Sequence, residues 1–368
     1  MKVPFVDLRS QYDSIKSEID NSIQSVINET AFISGKYAAE FEKNYARKYA
    51  VKNCISVANG TDAIYLILRA LNIGPNDEVI TVANTWISTA ETISQAGAKP
   101  VFVDIEQDFF PIDISKLEQK ITSRTKAIIP VHLYGHPAEV DKIKNICETY
   151  KLHLIEDCAQ AHFAEYKGQK VGTFGIASTF SFYPGKNLGA YGDAGAVITN
   201  DDTLAAKIRM IANHGSLKKH HHMIEGVNSR MDGIQAAVLS VKLPHISDWN
   251  QKRYDNARYY NKLLKGVVNV AIPMIRSNAT HVFHLYVIRT EKRKGLQAFL
   301  SDCGIATGIH YPTALPFLEA YRHLGHSPED FPVSYKYQDT ILSLPMYPEL
   351  TYEQIEYVAE KIREFFGG

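Results

Sequence analysis

Lys186 occupies a turn that could bring an amine against a flat ligand. A β-prone run over residues 179–183 stops at Pro184-Gly185, the lysine follows, and glycines at 189, 192 and 195 lead into a second β-prone run. Glycine allows tight turns and close approach of a ligand to the backbone. A lysine amine can form a Schiff base once burial or nearby cations lower its pKa. The stretch predicts a nucleophilic lysine at the tip of a strand, although a surface lysine beside a hairpin would also fit.

Gly60 and Thr61 form a candidate phosphate site, because they lie between a predicted strand and a helix predicted from about residue 63. The first N–H groups of a helix have no partner within it, and the positive end of its dipole favours anions. The Ser181 hydroxyl could complete a phosphate cup with Thr61. Alternatively, Thr61 or Asp62 would only cap the helix.

Asp157 and Trp86 are suited to hold a pyridine ring. Asp157 follows a predicted strand at 153–156, and its carboxylate could keep a pyridine nitrogen protonated, which makes a pyridoxal ring an electron sink. Trp86 follows a predicted strand at 79–82, and its indole could stack on the ring. Gln160 lies just beyond Asp157 and could face the same ring. The alternatives are a helix cap or buried ion pair for Asp157 and a core position for Trp86.

Strands and helices alternate over the first two thirds of the chain. The predicted strands are 54–58, 79–82, 101–105, 127–132, 153–156, 179–183 and 196–199, and the predicted helices are 12–28, 38–49, 63–71, 88–95, 140–150, 204–212 and 230–243. Because the strands are almost continuously apolar, we expect an α/β fold with a mostly parallel sheet sandwiched by helices. Ligands bind such sheets at the carboxyl ends of the strands, where all the candidate groups fall. Together they are what a pyridoxal 5′-phosphate (PLP) enzyme requires.

The pattern changes after a predicted helix at 230–243. A long helix is predicted at 246–264, then a strand at 282–288 and helices at 295–301, 333–340 and 352–366. We therefore predict two domains, a large PLP-binding domain (residues 1–245) and a smaller C-terminal α+β domain (residues 246–368).

Composition excludes several classes of partner. The 368 residues contain 40 basic and 40 acidic side chains, so no net charge favours nucleic acid or an anionic membrane. No apolar run approaches the roughly 20 residues of a membrane span, and the first residues lack the apolar core of a signal peptide. The four cysteines are scattered without a CxxC pair, which is typical of reduced thiols. We expect a soluble cytoplasmic protein.

Five segments carry a family resemblance: ANGTDAI, NTWIST, EDCAQAH, SFYPGKNLGAYGDAG and NSRMDGIQAAVL. They resemble the DegT/StrS-type sugar-nucleotide aminotransferases, which are fold-type I (aspartate aminotransferase-like) PLP enzymes, and the likeness covers essentially the whole chain. The resemblance implies homodimers with shared active sites. By motif it implies the following roles: Schiff-base formation for Lys186, pairing with the pyridine nitrogen for Asp157, stacking for Trp86, a place beside the ring for Gln160, and phosphate binding for Gly60, Thr61, Ser181 and, from the neighbouring subunit, Asn228. From its position alone, Asn228 would instead cap the helix predicted from residue 230.

Two loops indicate a subgroup. The sequence PGKNLGAYGDAG and the basic loop 218–222 look most like members that aminate C3 of a dTDP-linked 3-keto-6-deoxyhexose. The loop contains three adjacent histidines, which suggest a substrate loop or a solvated loop rather than a metal site, because adjacent histidines do not set ligand geometry. By resemblance, Tyr183, His310 and Tyr311 would face the sugar; a buried edge histidine is the alternative for His310.

The resemblance implies a ping-pong transamination with glutamate as donor, in which 2-oxoglutarate and an amino sugar nucleotide are the products. Lys186 would act as general base and then as general acid. Three alternatives remain from the sequence: amination at C4, a dehydration, and a PLP-binding regulatory protein without turnover. The family's dehydratases replace the lysine by histidine, so Lys186 argues against dehydration.

Overall fold

A seven-stranded central sheet organises the structure, a computed structural model that describes residues 1–367. The strand order is β1-β9-β8-β5-β4-β2-β3, and only β9 runs against the other six. A three-stranded ribbon (β10-β6-β7) and an antiparallel pair (β11-β12) complete the strands. The bounds are β1 (Asn53–Val57), β2 (Glu78–Val82), β3 (Lys99–Val103), β4 (Thr125–Ile129), β5 (His153–Asp157), β6 (Glu165–Tyr166), β7 (Gln169–Lys170), β8 (Ala177–Ser181), β9 (Gly195–Thr199), β10 (Ala279–Thr280), β11 (Tyr286–Arg289) and β12 (Ile341–Leu344).

Helices cover both faces of the central sheet. They are α1 (Leu8–Ser14), α2 (Lys16–Asn28), α3 (Gly35–Tyr49), α4 (Gly60–Ala70), α5 (Ser88–Gln95), α6 (Val140–Tyr150), α7 (Asp202–Ala212), α8 (Gly233–Lys242), α9 (Ile246–Leu264), α10 (Arg293–Asp302), α11 (Pro332–Thr340) and α12 (Tyr352–Phe366). Successive side chains of a strand point to opposite faces. Ile80 and Ile128 accordingly pack with α3, α6 and α8, while Val79 and Ile129 pack with α4 and α7. The mostly parallel α/β sandwich that the sequence predicts is confirmed.

The C-terminal part has its own apolar cluster, built from α9, α10, α12, β11 and β12. Val3 also packs in this cluster, because the first residues of the chain pair with Ile305. Helix α9 starts at Ile246, directly after a 3₁₀ turn over Leu243–His245. The domain boundary near residue 245 stays a prediction. No helix among residues 1–367 combines the length and apolarity needed to cross a membrane.

Several predicted element bounds are wrong. The helix predicted over 12–28 is interrupted at Ile15, and α8 begins at Gly233 rather than at residue 230. The strand predicted from residue 282 forms only from Tyr286, because Phe283 has a φ of +41° and Val282 bonds to the Gly135 carbonyl instead of a strand. Strand β12 was not predicted at all. It is a four-residue segment with three apolar residues and Ser343, and it directly follows a helix.

Candidate active site

A cavity of about 540 Å³ lies at the carboxyl ends of β2, β5 and β8, where it also meets the start of α4. It contains ten of the predicted site residues: Gly60, Thr61, Trp86, Asp157, Gln160, Ser181, Tyr183, Lys186, His310 and Tyr311. Asn228 lies outside it. A second cavity, of about 610 Å³, is formed by residues 269–271 and α11 and contains none of these groups.

Lys186 lies in a closed turn beyond the end of β8 rather than at the tip of the strand. Its backbone N–H donates to the Tyr183 carbonyl at 2.8 Å. A Cβ on Gly189 would lie 2.3 Å from the Pro184 carbonyl oxygen, so only glycine lets the turn close. The side chain is partly buried, and this burial lowers the pKa of Lys186 to about 8, against the opposing effect of Asp157. The amine is therefore a nucleophile near neutral pH.

Asp157 ends β5 and is buried. Its Oδ2 accepts a hydrogen bond from Thr89 Oγ1 at 2.9 Å, and its Oδ1 accepts one from the Ala159 N–H at 3.0 Å. Burial raises the pKa of Asp157, and these two donors and the Lys186 charge oppose the rise. Within residues 1–367 the carboxylate has no ion-pair partner, so the buried ion pair considered from the sequence is wrong. A protonated ring nitrogen would supply the missing positive charge.

Glu156, which precedes Asp157 in β5, stabilises the end of this strand. It accepts hydrogen bonds from the backbone of Gly172, Phe174 and Gly175 at 2.7–2.9 Å, and His132 Nε2 lies 3.2 Å away. His132 Nδ1 accepts from a backbone N–H, so its hydrogen is on Nε2 and donates to Glu156. This buried network fixes the loop behind β5, and nothing in the local sequence pattern identifies it.

Gly60 and Thr61 start α4, Gly60 lies against Ser181 at the end of β8, and we call this predicted phosphate site the phosphate corner. Asn59 caps the helix, since its Oδ1 accepts from the Asp62 N–H at 2.7 Å; the predicted caps Thr61 and Asp62 are wrong. The helix therefore begins three residues earlier than expected, and the N–H groups of Gly60 and Thr61 have no partner within it. A Cβ on Gly60 would lie 2.8 Å from Ser181 Cβ, so the corner packs closely against the end of β8. A side chain at position 60 would therefore not fit at this contact.

Trp86 and Tyr311 form an aromatic wall with ring centroids 5.6 Å apart. The Trp86 side chain is 57% exposed, which excludes the core position considered from the sequence. Gln160 Oε1 accepts from the Tyr134 N–H at 2.6 Å, so its Nε2 donates to the Tyr311 hydroxyl at 3.1 Å. The Tyr311 hydrogen thus remains available to an acceptor in the cavity.

His310 lies beside this wall, with Nδ1 2.9 Å from Ser343 Oγ, and burial lowers the pKa of His310 to about 4. Tyr183 is exposed at the mouth of the cavity. Both positions are compatible with a ligand that extends outward from Lys186.

Asn228 is exposed, pairs through its backbone with Asn213 and is not among the residues that line the cavity. Asp232 occupies the cap position of α8, so the prediction of Asn228 as that cap is wrong. The basic loop 218–222 is exposed as well, and its three histidines do not form a ligand cluster in the part of the chain that the structure describes.

The structure adds cavity residues to which the sequence assigned no place in the site, namely Thr89, His284 and Asp193, the last of which the sequence marked only as part of the subgroup loop. Thr89 lies in the NTWIST segment, and its role follows only from the hydrogen bond that it donates from the start of α5 to Asp157 at the end of β5. The full set fits PLP: a nucleophilic lysine, a buried carboxylate, free N–H groups for a phosphate and aromatic rings for stacking.

Comparison with known proteins gives a family match over residues 13–363, to the DegT/DnrJ/EryC1/StrS aminotransferase family. The chain is 47% identical to the "pleiotropic regulatory protein" of Geobacillus stearothermophilus, over 100% of this chain and 99% of that protein. It is 43% identical to the dTDP-3-amino-3,6-dideoxy-alpha-D-galactopyranose transaminase of Aneurinibacillus thermoaerophilus, over 99% of both chains. It is 41% identical to the UDP-N-acetyl-3-dehydro-alpha-D-glucosamine 3-aminotransferase of Acidithiobacillus ferrooxidans, over 100% of this chain and 98% of that protein.

Solved structures show the same fold. The crystal structure of DesV from S. venezuelae, in complex with a ketimine intermediate, superposes with a TM-score of 0.97 at 38% identity and covers 100% of this chain and 99% of DesV.

Proposed function

This chain belongs to the DegT/DnrJ/EryC1/StrS aminotransferase family and is a PLP-dependent transaminase, and we propose that it aminates C3 of a dTDP-linked 3-keto-6-deoxyhexose, with glutamate as donor. The observation that carries this proposal is the joint position of Lys186, Asp157 and the Gly60-Thr61 corner in one cavity. The names of the dTDP- and UDP-sugar relatives both refer to an amine at C3, which supports that position over C4.

Lys186 and Asp157 carry the proton chemistry in this proposal. When bound, PLP supplies a ring that accepts the electron pair left when the α-hydrogen of the amino donor departs as a proton. Lys186 Nζ would take that proton from the α-carbon of the donor, as general base, and return it as general acid. The Asp157 carboxylate would keep the ring nitrogen protonated. With the keto sugar, Lys186 moves the proton in the opposite direction.

The other predicted residues bind and orient the cofactor and the sugar. Gly60, Thr61 and Ser181 hold the phosphate through backbone N–H groups and hydroxyls. Trp86 would stack on the ring, and Gln160 would lie beside it. Tyr183, His310 and Tyr311 contact the sugar.

Charge supports a site shared between two subunits. Lys186 is the only lysine or arginine among the described residues of the cavity, which also holds Asp157 and Asp193. The cofactor phosphate and the sugar diphosphate bring several negative charges, and these need cations or N–H donors. Asn228 and the exposed Lys218 and Lys219 lie outside this cavity, where a second copy of the chain could offer them. We therefore include a homodimer in the proposal.

The test is a single-turnover reaction of the pyridoxamine-phosphate form of the enzyme with matched keto sugars. We expect the dTDP-linked 3-keto-6-deoxyhexose to give an amine at C3, identified by NMR of the product. Faster reaction of a UDP-linked 3-keto sugar would move the assignment to that class, which the UDP-sugar relative makes the second candidate. An amine at C4 would contradict the proposed position.

A further inference from the structure

Asn187, the residue after Lys186, is held in one orientation. It is 2% exposed, and its Nδ2 donates to the Val282 carbonyl at 2.9 Å and to Asn250 Oδ1 at 2.8 Å. A carbonyl oxygen only accepts, so the amide nitrogen must face Val282. The amide oxygen therefore faces His284, whose Nδ1 lies 3.2 Å away.

This contact fixes the tautomer of His284. Since Asn187 Oδ1 only accepts, His284 Nδ1 must carry a hydrogen and donate it. Burial lowers the pKa of His284 well below its usual value, and the nearby charges of Lys186 and Arg253 lower it further, with His310 and His162 also close. The ring is neutral, so its Nε2 has a lone pair and no hydrogen. Nε2 has no hydrogen-bond partner among residues 1–367, and the residue lines the cavity.

The backbone of His284 is held as firmly as its ring. Arg253 Nη1, from α9, donates to the carbonyls of Phe283 at 3.2 Å and His284 at 3.3 Å. The neighbouring Leu285 N–H donates to the Tyr134 carbonyl at 3.3 Å. The accepting nitrogen thus has a defined place in the cavity that holds Lys186.

His284 Nε2 can bond only to a hydrogen-bond donor, so it distinguishes between the groups that enter this cavity. The cofactor phosphate and the carboxylates of glutamate offer lone pairs, which cannot bond to Nε2; the amino group of glutamate can donate, but it is the group that reacts in the proposed transamination. Hydroxyl groups donate, and the proposed 3-keto-6-deoxyhexose offers two of them, at C2 and C4. We propose that His284 Nε2 accepts a hydrogen bond from a hydroxyl of the keto sugar, and that Asn187 is the positioning residue that sets its tautomer. This inference rests on the proposed sugar substrate and names a specificity residue for it.

The first test compares the two half-reactions of wild-type enzyme and His284→Asn on one preparation. Asparagine keeps a donor near the Nδ1 position but has no acceptor at Nε2. We expect kcat/KM of the keto-sugar half-reaction to fall by about tenfold or more, and the glutamate half-reaction to stay within about twofold. His284→Gln, which can place an amide oxygen near the Nε2 position, should recover part of the loss. An equal fall in both half-reactions, or no fall, would overturn the inference.

Deoxy analogues of the keto sugar distinguish the loss of a hydroxyl contact at His284 from a general structural effect of the substitution. For wild-type enzyme, removing the recognised hydroxyl should lower the keto-sugar kcat/KM by about tenfold, whereas His284→Asn should not distinguish the analogue from the parent sugar. If the variant still discriminates as wild-type does at each ring hydroxyl, the inference fails while the proposed function stands. If no keto sugar accepts the amine from wild-type enzyme, both fail together.

A pH profile tests the role of Asn187. In Asn187→Asp, a carboxylate beside Nδ1 should raise the pKa of His284, and protonation would then remove the acceptor at Nε2. We expect the sugar half-reaction of the variant, but not of wild-type enzyme, to fall more steeply than the glutamate half-reaction as pH drops from 8 to 6. Parallel profiles would overturn the tautomer role.

Discussion

Burial shifts the pKa values of the two central side chains in opposite directions. It lowers the pKa of Lys186 to about 8 and raises that of Asp157, because a charge is costly away from water. Each shift is opposed by the charge of the other residue. The two side chains therefore suit a cofactor whose aldehyde reacts with the Lys186 amine and whose protonated ring nitrogen pairs with the Asp157 carboxylate.

Capture of PLP by the apoenzyme should reveal the lowered pKa of Lys186. Only the neutral amine attacks an aldehyde, so the capture rate should rise with pH and level off above a midpoint near 8. Stopped-flow absorption of the Schiff base would measure the rate. A midpoint close to 10.5, the ordinary lysine value, would contradict the burial argument.

Asp157→Asn should separate cofactor binding from catalysis. The amide keeps the shape of the carboxyl group and a possible contact with Thr89, but it cannot hold a proton on the ring nitrogen. We expect single-turnover transamination with glutamate to slow on the order of 100-fold, with PLP still bound. A variant with unchanged rates would show that the ring nitrogen does not depend on this carboxylate.

The local sequence pattern identifies Lys186, Asp157 and Trp86, because each follows a predicted strand in a distinctive segment. It cannot identify Asn187 or His284. Their roles depend on hydrogen bonds between residues 97 positions apart in the chain. The same holds for Thr89, whose partner lies 68 positions away.

At the scale of elements, the phosphate corner depends on how closely α4 approaches β8. Gly60→Ala would place a Cβ 2.8 Å from Ser181 Cβ and push the helix start away from the strand. We expect PLP affinity to fall by about tenfold, measured by equilibrium titration. Gly74→Ala is the matched control, since its Cβ would make only an ordinary contact, 3.4 Å from the Ala96 carbonyl oxygen. Equal affinity of the two variants would exclude a close-packed corner.

The sequence predicts most elements because period and apolarity mark buried strands and amphipathic helices. It fails where tertiary contacts replace the local preference. Residues 282–285 have a strand-like pattern, but Val282 and Leu285 donate to the carbonyls of Gly135 and Tyr134, and His284 and Leu285 line the cavity. The start of α8 is displaced because Ile33 pairs with Asp232 and Asn213 pairs with Asn228.

At the scale of the whole molecule, the position of Asn228 predicts that two subunits complete each other's sites. Lys186→Ala and Asn228→Ala should each be strongly impaired as purified homodimers. After mixing and subunit exchange, a hybrid dimer would hold one intact site, so activity should recover to about a quarter of the wild-type value. Size-exclusion chromatography with light scattering would confirm that exchange occurs between dimers. No recovery would mean that the two residues act within one chain or that Asn228 has no role.

The most direct test of the central claim is the visible absorption spectrum of the PLP-loaded protein through one full cycle. Glutamate should convert the Schiff-base band to the pyridoxamine-phosphate form, and a dTDP-linked 3-keto-6-deoxyhexose should restore it with formation of the amino sugar. Lys186→Ala should do neither at a comparable rate. A band that glutamate discharges but no nucleotide-linked keto sugar restores would contradict the account.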